Sequence, residues 1–312
     1  MSQFKVSVII PVYNAEKFIS DAVNSVKELD EVGEILLIDD GSTDNSVSLC
    51  SQLASENSLV KFYRHNDKKN NGIAATRNLG IRKSSFDYIS FLDADDLYLP
   101  NRFETDKSIF DNKPETEVVY GCCKNVFLTI KGEEEYKKRH VYRPDVLYTI
   151  FKRVSSKEIF SVLIYGEDGQ IHTNAITIKK TAFEKIGLFN ESLKMSEDTE
   201  MWFKLSIKTI MLPGSIDDPV ALRRMHDNNI TNSDSDRKYF LNKMFDSFFR
   251  WSLNHKIKFS DLHKIFSVLK WQMKGYQCSD KKFFWIYFVS NPSIILHVFF
   301  WKKLHLMYLV KK

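Results

Sequence analysis

Residues 91 to 96 read FLDADD, so three carboxylates, Asp93, Asp95 and Asp96, stand directly behind the apolar run YISFL. On an extended segment Asp93 and Asp95 point to one side, where two like charges repel strongly unless protons or a cation intervene. All-oxygen donors suit Mg²⁺ or Mn²⁺, which bind through one or two carboxylates and leave room for water and substrate phosphates. The chemistry on offer is a divalent cation holding a diphosphate. A solvated acidic turn ahead of Pro100 would use the same residues, and a lone D-x-D does not separate the two.

Two further groups could act with it. In NNGIAATRNLG (70 to 80) a glycine precedes a helix start with Arg77 and Asn78 one turn in, which sets a cation and amides where a phosphate could bind. In SEDTEMWFKL (196 to 205), Glu197 and Asp198 open an amphipathic helix whose Met201, Trp202 and Leu205 face the core. Helix capping alone accounts for acids at that position; their meaning depends on what lies opposite.

The elements that must carry these groups follow from periodicity. VSVIIPVY (6 to 13), EILLIDD (34 to 40), LVKFYRH (59 to 65) and YISFLD (88 to 93) are short apolar runs rich in β-formers. Between the first two, Phe18, Ala22 and Val26 recur at helical spacing after Asn14 as N-cap. Strand and helix in alternation predict an α/β fold, a parallel sheet covered on both faces, with ligands at the carboxyl ends of the strands. Those ends deliver Pro11, Tyr13 and Asn14, then Asp39 and Asp40, then the acidic cluster.

At 312 residues, 43% apolar and 27% charged, the chain can bury a full core and is neither disordered nor fibrous. Its four cysteines, Cys50, Cys122, Cys123 and Cys278, show no C-x-x-C spacing, and reduced thiols in a cytosolic setting are expected. The N-terminal MSQFKVSVIIPVYN lacks the pattern of a secretory leader. Charge is unevenly spread: from Arg237 onward 15 Lys and Arg face 3 Asp. With a net charge of +5 overall, residues 1 to 236 are therefore acidic.

Five motifs in order, SVIIPVYNAEKFI, EILLIDDGSTDNS, NGIAATRNLG, FLDADDLYLP and SEDTEMWFKL, resemble the family 2 glycosyltransferases. The resemblance covers residues 5 to 230. It implies a GT-A fold, a Rossmann-like, mostly parallel sheet flanked by helices, and inverting transfer from a nucleotide-sugar donor to a glycan or lipid-linked acceptor with Mn²⁺ or Mg²⁺. By position, Tyr13 stacks on the base beside Pro11, Asp40 bonds the uracil ring, Asp39 orders the loop, and Arg77 lies near the phosphates or ribose. Asp95 is the direct metal ligand, Asp93 contacts ribose or a metal-bound water, Asp96 supports the loop, and Asp198 is the general base beside Glu197. In ALRRMHDNNIT (221 to 231), His226 reaches metal or diphosphate, with Arg223 and Arg224 as phosphate partners. Thr76 and Ser196 stand where the family more often has Ala and Gly.

The resemblance assigns residues 1 to 235 to the catalytic domain, its nucleotide-sugar half at 1 to 130 and acceptor half at 131 to 235. KGEEEYKKRH (131 to 140) reads as a solvated loop, and Tyr142, Leu147, Tyr148, Ile150, Phe151 and Phe160 as a helix on the acceptor side. Residues 236 to 312 read as a helical, basic and aromatic extension. Its run FFWIYFVSNPSIILHVFFW (283 to 301) is broken by Asn291 and Pro292 and flanked by lysines, which suits attachment to an anionic membrane surface. Packing on the catalytic domain or on a second subunit, and a transmembrane span, are the alternatives. Nucleic acid is excluded by the acidic front portion and the absence of a recognisable binding module. The expected setting is the inner face of a bacterial inner membrane, in capsule, O-antigen or lipooligosaccharide synthesis. A non-catalytic sugar-nucleotide-binding module and a nucleotidyltransferase are the competing readings.

Overall fold

The computed structural model describes residues 3–130, 133–134, 147–166, 168–226 and 234–272. The chain divides into two compact units, Met1–Asn232 and Ser233–Lys312.

The first unit is built on β1 (Val6–Val12), a strand buried along its whole length, as a continuous apolar run in a parallel sheet must be. It pairs in parallel with β2 (Val32–Asp39) and with β4 (Tyr88–Phe91). β3 (Val60–Arg64) extends the sheet on one side, and β8 (Ile176–Lys179), β6 (Val118–Tyr120) and β9 (Met211–Pro213) extend it on the other, in the order β3-β2-β1-β4-β8-β6-β9. β8 runs antiparallel to both neighbours; the other pairings are parallel. A second sheet holds β5 (Leu97–Tyr98), β10 (Ala221–Met225) and β7 (Cys123–Phe127). This is the mostly parallel, helix-flanked α/β architecture of the GT-A fold.

Helices cover both faces. Val6, Val8, Ile10 and Val12 share one buried cluster with Ile19, Ala22, Val23 and Val26 of α1 (Ile19–Lys27). On the opposite face α3 (Ile73–Lys83) packs so closely that a Cβ on Gly80 would lie well inside van der Waals contact with Ile9 Cγ2. Pro11 is tolerated in a central strand because the pairing of β1 with β4 ends at Ile9 and Phe91. Its missing N–H therefore leaves no ladder bond unmade. α2 (Ser46–Glu56) and α4 (Glu104–Asn112) complete this part, followed by α5 (Ile159–Tyr165), α6 (Lys180–Ile186) and α7 (Glu197–Lys208).

Two local expectations are corrected. Asn14 is not a helix cap: it takes the left-handed conformation, φ 50°, and its Oδ1 accepts from Thr43 N–H at 2.8 Å, while α1 begins at Ile19. An Asn tolerates that conformation better than most residues, and the bond ties the β1 loop to the β2 loop. The expected acceptor-side helix forms only as α5, which contains Phe160; Tyr148 and Ile150 are instead extended, bridging Cys123 and Gly169. Tyr142 lies outside the described residues.

In the second unit α8 (Asp234–Asn254) and α9 (Phe259–Gln272) bury Met244, Phe248 and Phe249 and Leu262, Ile265 and Leu269 at helical spacing. No helix among the described residues is long and apolar enough to cross a membrane. The run 283–301 and its flanking lysines, with the expected membrane or dimer contact, lie outside the described residues.

Candidate active site

The carboxyl ends of β1, β2 and β4 meet the start of α7 and the end of β10. Each strand carries polar residues there because the apolar run has ended and the chain must turn across the sheet edge. The motifs most distant in sequence are thereby brought together.

On the β1 and β2 side the loops are stitched by backbone amides. Asp39 accepts from Gly41 N–H, Ser42 N–H and Arg64 Nε, so it orders its own loop. Asp40 accepts from the amides of Asn71 at 2.7 Å and Gly72 at 3.1 Å, which fastens the start of α3 to the end of β2. Burial raises its pKa, and these two donors and nearby His65 oppose the rise. A carboxylate has about four acceptor positions, so the amides leave capacity for a ligand. Thr76, in place of the commoner Ala, bonds His65 Nε2 at 3.1 Å. Tyr13 projects from the end of β1, 52% exposed, with its ring available for stacking, whereas Pro11 is buried.

The D-x-D turn is held from below. Asn174, fully buried, accepts from Asp93 N–H at 3.0 Å through Oδ1 and donates to Asp96 Oδ2 at 2.6 Å through Nδ2. Asp96 also accepts from Arg224 N–H at 2.7 Å, joining β10 to the turn. Burial, reinforced by the charges of Asp95 and Asp93, pushes the Asp96 carboxyl up to about 8. Asp95 meets His226 Nε2 at 3.1 Å, and its carbonyl accepts from Arg224 Nε. The His226 ring stacks on Phe18 with centroids 4.7 Å apart.

Arg77, only 4% exposed, donates to Asp93 Oδ1 at 3.1 Å and to Glu197 Oε1 at 2.7 Å, so it ties the D-x-D turn to the start of α7. Arg224 donates to the Asp95 carbonyl through Nε and to Asp21 through Nη1, while its buried Nη2 has no hydrogen-bond partner among the described residues. Arg223 lies over the Tyr148 ring at 5.7 Å. Burial and the adjacent Asp198 push the Glu197 carboxyl up to about 7, against the pull of Arg77. Asp198 follows one residue later, its Oδ1 accepting from Thr199 N–H at 2.6 Å. Ser196, just before, adopts φ 61° and ψ 20°, the left-handed region that explains why Gly suits this position.

Of the expected cation donors the structure pairs Asp95 with His226, and the like charge of Asp93 adds to burial in raising the Asp95 pKa. A cation between them would relieve that repulsion. The structure adds a residue the motifs missed, His172, whose ligand nitrogen lies within 4.8 Å of carboxylate oxygens of Asp93 and Asp96. Burial and the positive charge of Arg223 lower its pKa to about 4, so the ring is neutral at physiological pH. The one trace of it in the sequence is the polar triplet HTN directly before the apolar run AITI.

The fold and the position of this polar edge are those of the GT-A glycosyltransferases, and comparison with known proteins places the chain further. The sequence profile of Glycosyl transferase family 2 matches residues 7–182, more than half of the chain. This chain belongs to glycosyltransferase family 2 and is an enzyme of that family. It is 30% identical over 230 residues to a glycosyltransferase of Rickettsia typhi, covering 73% of this chain and 66% of that protein. It is 29% identical over 202 residues to the minor teichoic acid biosynthesis protein GgaB of Bacillus subtilis, covering 62% of this chain and 20% of that one. In two other Rickettsia relatives the match spans 31% and 58% of their lengths. The fold superposes on Staphylococcus aureus TarS (residues 1–349, in complex with UDP-GlcNAc) with a TM-score of 0.61 at 19% identity, covering 86% of this chain and 71% of that one.

Proposed function

We propose that this enzyme transfers a sugar from a UDP-sugar to a hydroxyl of a glycan or lipid-linked acceptor, with inversion, in bacterial surface polysaccharide synthesis. The observation that carries this reading is the continuous chain from the D-x-D turn through Arg77 to Glu197 and Asp198. It puts a carboxylate at the start of α7 on the same edge as the donor-phosphate residues. The UDP-GlcNAc complex of TarS and the teichoic acid role in the name of GgaB support a UDP-sugar and a cell-surface polymer.

An acceptor hydroxyl has a pKa far above neutral and needs a base as it attacks the anomeric carbon. Asp198 takes that proton through Oδ2, Oδ1 being held by Thr199. In one displacement the acceptor oxygen bonds to the anomeric carbon, the bond to the diphosphate oxygen breaks, and the centre inverts. Tyr13 stacks on the base and Asp40 accepts from its ring N–H. Mn²⁺ or Mg²⁺ held by Asp95, Asp93 and His226 would supply positive charge for the departing diphosphate. Arg77 acts by holding Asp93 and Glu197 at fixed separation. The basic, aromatic C-terminal portion attaches the enzyme peripherally to the inner face of the membrane, where a lipid-linked acceptor is presented.

The test is release of UDP from a panel of UDP-sugars with Mn²⁺, Mg²⁺ or EDTA, using membrane-extracted acceptors. Transfer that is lost in Asp198→Asn while UDP binding persists supports the assignment. Unchanged transfer in that variant rejects Asp198 as the base.

A further inference from the structure

The turn His172–Asn174 belongs to none of the motifs, yet it lies against the D-x-D residues. Asn174 N–H donates to His172 Nδ1 at 3.2 Å. A neutral imidazole has one donor and one acceptor nitrogen, and with Nδ1 accepting, the proton sits on Nε2. The ring packs edge to face with Tyr148, centroids 5.2 Å apart, so its orientation is constrained on both sides. Among the described residues Nε2–H finds no hydrogen-bond acceptor, although a ring nitrogen lies within 4.8 Å of oxygens of both Asp93 and Asp96.

The same trio has the composition of a metal site, but its bonding argues otherwise. Nδ1 is occupied by an N–H, and Nε2 carries the proton. Neither nitrogen presents a lone pair to a cation. What remains is a fixed N–H donor beside the Asp93 carboxylate, the pairing that recognises a hydroxyl, which both accepts and donates. The position also fits: the transferred sugar must lie between the base at Asp198 and the D-x-D turn, and His172 borders that turn.

We propose that His172 is a specificity-determining residue for the donor, its Nε2–H donating to a hydroxyl oxygen of the transferred sugar while Asp93 accepts a hydrogen bond from that hydroxyl. This rests on the UDP-sugar reading above. It predicts a contribution to binding of the sugar and none to binding of the nucleotide.

His172→Asn is the diagnostic variant, because Asn keeps a short side-chain acceptor for Asn174 N–H and removes the distal donor. Calorimetric titrations with UDP, UDP-glucose and UDP-GlcNAc are run on the wild type and the variant. The expected result is unchanged UDP affinity with a loss of about 2- to 12-fold for the preferred UDP-sugar, the range of one hydrogen bond. Deoxy analogues of that sugar locate the hydroxyl: the analogue the wild type discriminates against most is the one for which the variant shows no further loss. Equal loss of UDP and UDP-sugar would mean a structural role, and loss of neither would mean no contact; both overturn the inference. A wild type that binds neither UDP nor any UDP-sugar would overturn the underlying functional reading instead.

Discussion

Replacing Arg77 by Met tests the idea that a buried guanidinium holds the two halves of the site together. Met preserves much of the aliphatic stem and removes the charge that contacts Asp93 at 3.1 Å and Glu197 at 2.7 Å. Both Arg77 and Glu197 are nearly inaccessible, and removing one member of a buried ion pair costs about 3–5 kcal/mol because the other charge is left unpaired. The penalty depends on pH. The folded pKa of Glu197, pushed up to about 7, lies above its ordinary 4.5, so between these values the folded chain holds a proton the unfolded chain has released. Stability from this group therefore falls as pH rises from about 4.5 to 7, by roughly 3 kcal/mol across the window. Without Arg77, which lowers that pKa, Glu197 stays protonated to higher pH, and protonation removes the unpaired charge. Urea unfolding should accordingly show a penalty of about 3–5 kcal/mol at pH 8 that shrinks by 1 kcal/mol or more, roughly, at pH 5.5. A variant within about 0.5 kcal/mol of wild type, or a penalty equal at both pH values, would refute the tie. The Glu197→Gln and Arg77→Met pair, combined in a double-mutant cycle, should give a coupling of about 1–3 kcal/mol.

Other perturbations probe separate parts of the argument. Asp95→Ala should abolish metal-dependent UDP release, and His226→Ala should weaken it about 10-fold or more, checked by titrating Mn²⁺ against initial rate. Gly80→Ala should destabilise by about 1–3 kcal/mol in urea, because the new Cβ would overlap Ile9 Cγ2 in a closely packed helix–sheet contact. Asn174→Leu leaves Asp93 N–H and the Asp96 carboxyl without their partner. It should lower stability by about 2–4 kcal/mol and reduce kcat together with Mn²⁺ affinity, measured by unfolding and by metal titration.

Part of this molecule could be read directly from the chain. A strand in a parallel sheet is buried on both faces, so β1, β2 and β4 appear as unbroken apolar runs, and the first polar residues after each run mark the ligand-binding edge. That logic located Asp39, Asp40, Asp93, Asp95 and Asp96, and the amphipathic start of α7 located Glu197 and Asp198. Side-chain partnership was another matter. Arg77 could be recognised as a cation at a helix start, but its carboxylates come from positions 16 and 120 residues away, and no local spacing encodes that distance. Arg224 reads as a phosphate ligand by charge, and only folding shows two of its nitrogens donating to the Asp95 carbonyl and Asp21. His172 and Asn174 precede a strand inserted antiparallel between β4 and β6, so their neighbourhood arises from sheet order rather than from sequence order. The sequence by itself determined the class of chemistry, because residue type and strand-end position suffice to gather acids and a nucleotide platform. The tertiary structure decided which charges face a ligand and which face each other, because burial and long-range pairing are properties of the packed chain.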